Sequence, residues 1–205
     1  MLRPVLPVNV VTREDLGFRS AKTDYHTHSL HPYPAKFIPQ IAHELVTKFS
    51  QPDSMVADIF AGSGTTNLEA MRMGRHSYAL DVNPVASLIT TAKTAIVQPE
   101  LLARTILEIF TAVTTTAPTH NLQSELIQQL LTGKDQEALL HWFPENNIVE
   151  LALILDLINQ IEEHDLKALL LLIFSSSLKL ASNWLDWSVK PQRDRRPQAP
   201  ENPEE

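Results

Sequence analysis

Asp58-Ile59-Phe60-Ala61-Gly62-Ser63-Gly64-Thr65-Thr66 follows directly on the apolar run that starts at Met55, and the stretch after it has helical composition as far as Gly74. An apolar run of strand length, a turn with two glycines one residue apart, and a short helix stopped by glycine together predict a strand–turn–helix unit. Glycines at Gly62 and Gly64 let the backbone turn tightly and approach a ligand closely. The helix behind them points free amide groups and a partial positive charge at that ligand, which suits a carboxylate or phosphate. Further on, His76 to Val82 reads as a second strand, and Asp81 at its end lies 19 positions after Gly62. An acidic residue about 20 positions beyond such a turn accepts hydrogen bonds from ribose hydroxyls. A ribose-containing cofactor at the carboxyl ends of the strands is therefore expected.

Working outward, Ile38, Ile41, Leu45 and Val46 predict a helix before the first strand, and Pro84 opens another after the second. Thr94 to Val97 reads as a third, short strand. Residues 1–37 are broken by Pro4, Pro7, Pro32 and Pro34 and read as irregular, while 38–97 form the α/β unit. Residues 98–187 read as helical throughout. Leu102, Ile106, Ile109, Phe110 and Val113 make one apolar stripe. Further helices are expected at Asn121–Leu131, Ile148–Ile161 and Leu166–Ala181, the last as a buried core helix. The proline-rich, charged segment 188–205 reads as a disordered tail. The turn itself excludes two common cofactor classes. A dinucleotide fingerprint needs a third glycine where Asn67 stands, and a P-loop needs a Gly-Lys-Ser/Thr ending.

DIFAGSGTT (58–66) and ALDVNP (79–84) resemble motifs I and II of amino-directed DNA methyltransferases, and HPYPAKFIP (31–39) resembles the motif that precedes motif I in one subfamily. The three stand in the order and spacing of that family and cover roughly residues 26–97. The resemblance implies a Rossmann-like fold that binds S-adenosylmethionine. It assigns the methionine end to Gly62, Ser63, Gly64, Thr65 and Thr66, and the ribose hydroxyls to Asp81. Val82, Asn83 and Pro84 fall near the adenine. Tyr33, Pro34, Ala35, Lys36 and Phe37 pack along the cofactor's other side, and Asp58, Phe60 and Ala61 complete the wall. The family moves a methyl group to the exocyclic amino group of a cytosine or adenine flipped out of the duplex.

One departure stands out. The family's catalytic motif is Asp, Asn or Ser followed by Pro-Pro-Tyr or Pro-Pro-Phe, and these 205 residues contain no Pro-Pro pair. The sequence therefore reads as the cofactor-binding half of a methyltransferase, with no catalytic residue of its own. A second methyltransferase subunit is expected to bring the catalytic motif and the contacts to DNA. A truncated inactive remnant and a protein-interaction module are the alternatives.

Composition narrows the remaining classes. The chain has no cysteine, which excludes disulfides, thiolate zinc sites and the cysteine nucleophile of cytosine carbon-5 methylation. The net charge is −7, and all of it resides in residues 98–180, with four Lys/Arg against eleven Asp/Glu. Residues 1–97 are near neutral, so no basic patch holds DNA by phosphate contacts alone. The longest apolar run, Ala168 to Phe174, is far short of the roughly 18 residues that a membrane span needs. With no signal-peptide core at its start, the chain reads as cytoplasmic. Asp24-Tyr25-His26-Thr27-His28-Ser29 also resembles the first metal motif of a phosphoesterase family. The other histidines are scattered singly, so this cluster reads as solvated or at the cofactor's edge.

Overall fold

A computed structural model describes residues 18, 20–116 and 132–184. Contacts divide the chain into two compact units, Met1–Thr94 and Ala95–Glu205.

In the first unit, residues 20–38 run through turns and extended backbone to α1 (Pro39–Phe49), which a proline opens. Next come β1 (Met55–Asp58), α2 (Thr65–Arg72), β2 (His76–Ala79) and α3 (Pro84–Thr94). The two strands pair in parallel, with Met55 opposite His76 and Asp58 opposite Ala79. Such a pair needs a crossover, and α2 supplies it, packing on both strands, on α1 and on α3. Small residues make this close approach possible. Ala42, Ala70, Ala86 and Ala92 are buried alongside Val46, Leu68 and Ile89.

The sheet has two unlike faces. Val56, Asp58 and Ser77 are half-buried on one. On the other, Met55, Ile59, Tyr78 and Leu80 follow the period-two alternation of a strand and are 55–66% exposed.

The second unit is helical: α4 (Pro99–Thr116), α5 (Gln136–Trp142), α6 (Glu145–Asn159) and α7 (His164–Ser177). Its core gathers Ile158, Leu166 and Leu170, with Leu102, Ile109 and Phe174 packed against them. Glu163 caps α7 by accepting from the Asp165 and Leu166 amides. Among the described residues, no helix is long and apolar enough to cross a membrane.

Two expectations are corrected. Thr94–Val97 is not a strand. Helix α3 runs through Thr94, and the Ile96 amide donates to Asp165 Oδ2 at 2.9 Å rather than to a neighbouring strand. The second strand ends at Ala79, not Val82. Because β1 gives way to the turn at Ile59, the last ladder bonds are Leu80 N–H to Asp58 O and Ala61 N–H to Leu80 O. The apolar stripe expected from Leu102 to Val113 lies on α4, where Leu102 and Ile109 pack inward while Ile106 and Phe110 are exposed. The helix expected at Asn121–Leu131 and the tail expected beyond Trp187 lie outside the described residues.

Candidate functional site

The site is built where β1 and β2 end. Past Asp58 the chain turns, with Asp58 Oδ1 accepting the Phe60 amide at 3.1 Å. The Gly64 amide donates to Ala61 O at 2.8 Å and closes the turn on itself. Gly62 and Gly64 both take positive φ, 52° and 68°, a region that other residues enter at a cost. Gly64 has a second reason to be glycine: a Cβ there would lie 2.6 Å from Thr90 Oγ1 on α3. Gly64 is also the N-cap of α2, and having no side chain it leaves the first-turn amides of Thr65, Thr66 and Asn67 without a side-chain cap.

Asp81 ties the two strand ends together. Its Oδ2 accepts the Gly62 amide and its Oδ1 the Asn83 amide, each at 2.8 Å. Backbone hydrogen bonds from Asn83, then Gly62, and least from Val82 hold this half-buried residue's carboxyl below the usual carboxylate range. A carboxylate has about four acceptor sites, so these backbone donors leave it capacity for a further one. Asn83 caps α3, accepting the Val85 amide at 3.0 Å just before Pro84. A small open depression beside Asp81 is lined by Ala61, Ala79, Ser87, Thr90 and Thr91.

The HPYPAKF segment meets this turn through Tyr33. A Cβ on Gly62 would lie 3.3 Å from Tyr33 Cε1, so the phenol ring stands directly against the glycine. Lys36 does not reach the turn; its ammonium donates to His28 O at 3.0 Å. Ala35 sits at positive φ, and Pro34 and Phe37 are exposed. Of the residues read from sequence, Tyr33, Ala61, Gly62, Ser63, Gly64, Asp81 and Asn83 come together. Phe60 and Val82, at 84% and 101% exposure, project into solvent instead.

Sequence reasoning missed the residue that fastens the motif segment down. Glu69 on α2 is wholly buried and receives five hydrogen bonds. Its Oε1 accepts from His28 Nε2 at 2.8 Å, Tyr25 OH at 3.1 Å and Arg72 Nη1 at 2.8 Å. Oε2 accepts from His43 Nδ1 and Arg72 Nη1, each at 3.0 Å. Burial works to raise the Glu69 pKa, but the hydrogen bonds from His28, His43 and Arg72 outweigh it, and the carboxyl stays ionised below its ordinary range. A signal was present: Glu69 lies one turn after Thr65 and beside Leu68, on the helix face that faces the core.

Of the two alternatives for the histidine cluster, solvated or at the cofactor's edge, the first does not hold for His28. It is 2% exposed, not solvated, and burial pushes its pKa down. With Nε2 held by Glu69, this histidine is a structural donor, whereas His26 stays exposed at the positive-φ turn. Lys93 is equally unforeseen. It is 2% exposed, its ammonium has no hydrogen-bond partner, and burial, with the charge of Lys36, lowers its pKa to about 8.

Comparison with known proteins bears on this geometry. A family described as DNA methylase matches residues 14–91, the stretch that holds both the glycine turn and Asp81. The chain is 33% identical over 171 residues to the Type II methyltransferase M.MvaI of Kocuria varians, covering 82% of this chain and 37% of that protein. It is 38% identical over 68 residues to the Type II methyltransferase M.MjaII of Methanocaldococcus jannaschii, covering 33% of this chain and 13% of that one. The chain thus spans well under half the length of these relatives. No solved structure matches it. Over residues 14–91, which build the glycine turn, the Asp81 bridge and the Tyr33 wall, the chain matches the DNA methylase family, and it is similar to Type II methyltransferases.

Proposed function

We propose that the chain is the S-adenosylmethionine-binding part of a DNA methyltransferase acting on the exocyclic amino group of cytosine or adenine. The carrying observation is the Asp81 carboxylate, which bridges the Gly62 and Asn83 amides at the strand ends and keeps acceptor capacity beyond them. The residues present fit the cofactor. Two vicinal ribose hydroxyls match two carboxylate oxygens, and the uncapped amides at the start of α2 suit the methionine carboxylate. Tyr33 against Gly62 closes the turn from the other side. The Asn83-capped start of α3 borders the adenine position. When bound, S-adenosylmethionine supplies an electrophilic methyl group.

The group that accepts the target amino hydrogens is not among these residues, so we assign it to a complementing polypeptide that also brings the DNA contacts. The bare sheet face supports this. Parallel sheets are covered on both faces, and here Met55, Ile59, Tyr78 and Leu80 stay open. A Rossmann-like sheet in the assembled enzyme would add strands to the two seen here.

Calorimetric titration with S-adenosylmethionine tests the reading. The native chain binds, and Asp81→Ala weakens binding by about tenfold or more while the fold is retained. A folded native chain that does not bind sinks the cofactor assignment.

A further inference from the structure

Glu69 lies inside the helix whose N-terminus forms the glycine turn, and it is the anchor for the segment that carries Tyr33. His28 and Tyr25, from that segment, both donate to Oε1, and Thr27 between them donates to Lys93 O at 2.8 Å. The Lys36 ammonium folds back on His28 O, so the residues flanking Tyr33 are tied to the same anchored histidine. His43 fixes the carboxylate to α1, and Arg72 closes it from one turn further along α2. A wholly buried carboxylate with five hydrogen bonds has one geometry available to it. The ring of Tyr33 at the Gly62 backbone is the far end of that chain of contacts.

We infer that Glu69 is a positioning residue for the cofactor site: through His28 and Tyr25 it sets Tyr33 against the Gly62 turn. This rests on the cofactor reading above, and no contact between Glu69 and the cofactor is involved. A carboxylate that only stabilised the unit would give affinity losses independent of Tyr33. A carboxylate acting through Tyr33 gives losses that disappear once Tyr33 has no ring to place.

The test is a double-mutant cycle on S-adenosylmethionine affinity in the full chain, with Glu69→Gln, Tyr33→Ala and the pair, each confirmed folded by circular dichroism. Glu69→Gln is expected to weaken binding by about tenfold in the native background and by less than about twofold in the Tyr33→Ala background. If the losses multiply, or if folded Glu69→Gln binds as the native chain does, the inference is overturned. Should Glu69→Gln fail to fold, Tyr25→Phe removes a single half-exposed donor to the same oxygen. It must show the same dependence on Tyr33 at smaller amplitude, and independence overturns the inference equally. Absence of binding by the native chain fails the cofactor reading itself, and the inference falls with it. Binding by the native chain with multiplying losses fails the inference alone.

Discussion

Lys93 is the residue whose chemistry is least at ease with its place. Its ammonium is buried without a partner, and the charge of Lys36 adds to the penalty, while Glu69 is committed to other donors. An unpaired buried charge is penalised until the group gives up its proton. The folded pKa of about 8 lies below the ordinary 10.5, so the unfolded chain binds the proton more tightly. Stability then rises as the pH climbs from about 8 to 10.5, and the full penalty, on the order of 3 kcal/mol, applies below that window. Lys93→Met keeps the volume and deletes the charge. It is expected to stabilise the first unit by about 1–3 kcal/mol at pH 7, with the gain fading by pH 10.5. Hydrogen exchange of the β1 and α2 amides at the two pH values reads this locally. A gain that persists unchanged at high pH would mean the ammonium is not the cause.

At the scale of elements, the junction of turn and helix is the most constrained place in the first unit. Gly64 and Gly74 both hold positive φ, 68° and 70°. They differ in surroundings, since a Cβ on Gly64 meets Thr90 at 2.6 Å and one on Gly74 meets nothing within 4 Å. Gly74→Ala is therefore expected to cost about 1–2 kcal/mol, the left-handed penalty alone. Gly64→Ala costs that plus the displacement of α3 from the turn, and it also disturbs the Thr90 hydroxyl that donates to Gly62 O. Urea denaturation of the two variants side by side measures the difference, and equal losses would show that α3 yields without cost. The strand, turn and helix order was legible because each local signal agreed with its neighbour: an apolar run, two glycines, a helical stretch, a stop. Pro84 at the start of α3 was legible for the same reason. The third strand at Thr94–Val97 was not, because a β-compatible quartet carries no information about whether a partner strand exists beside it. Likewise, the burial of His28 depended on Glu69, 41 residues away, and a single sequence does not display that pairing.

For the molecule as a whole, the open sheet face sets the expected behaviour. Among the described residues the two parallel strands pair only with each other, and so small a sheet depends on what packs against it. Helix α2 covers one side; on the other, Met55, Ile59, Tyr78 and Leu80 leave a contiguous apolar surface beside the site. Burying such surface is worth about 25 cal/mol per Å², so a complementing polypeptide has a driving force for docking there, and without one the face should bind copies of the chain or apolar dyes. Replacing Tyr78 and Leu80 together by lysine should remove that tendency. These side chains point away from α2, so the unit's own stability should change by less than about 0.5 kcal/mol per site. Affinity for S-adenosylmethionine should hold, because the contacts among Asp81, Gly62 and Tyr33 run through a backbone amide and the Tyr33 ring and use neither of those two side chains. Sedimentation velocity and binding of an anilinonaphthalene dye, with and without the two lysines, check this. Equal association in both proteins would show that the face is already satisfied, and the case for a complementing polypeptide on that surface would go with it.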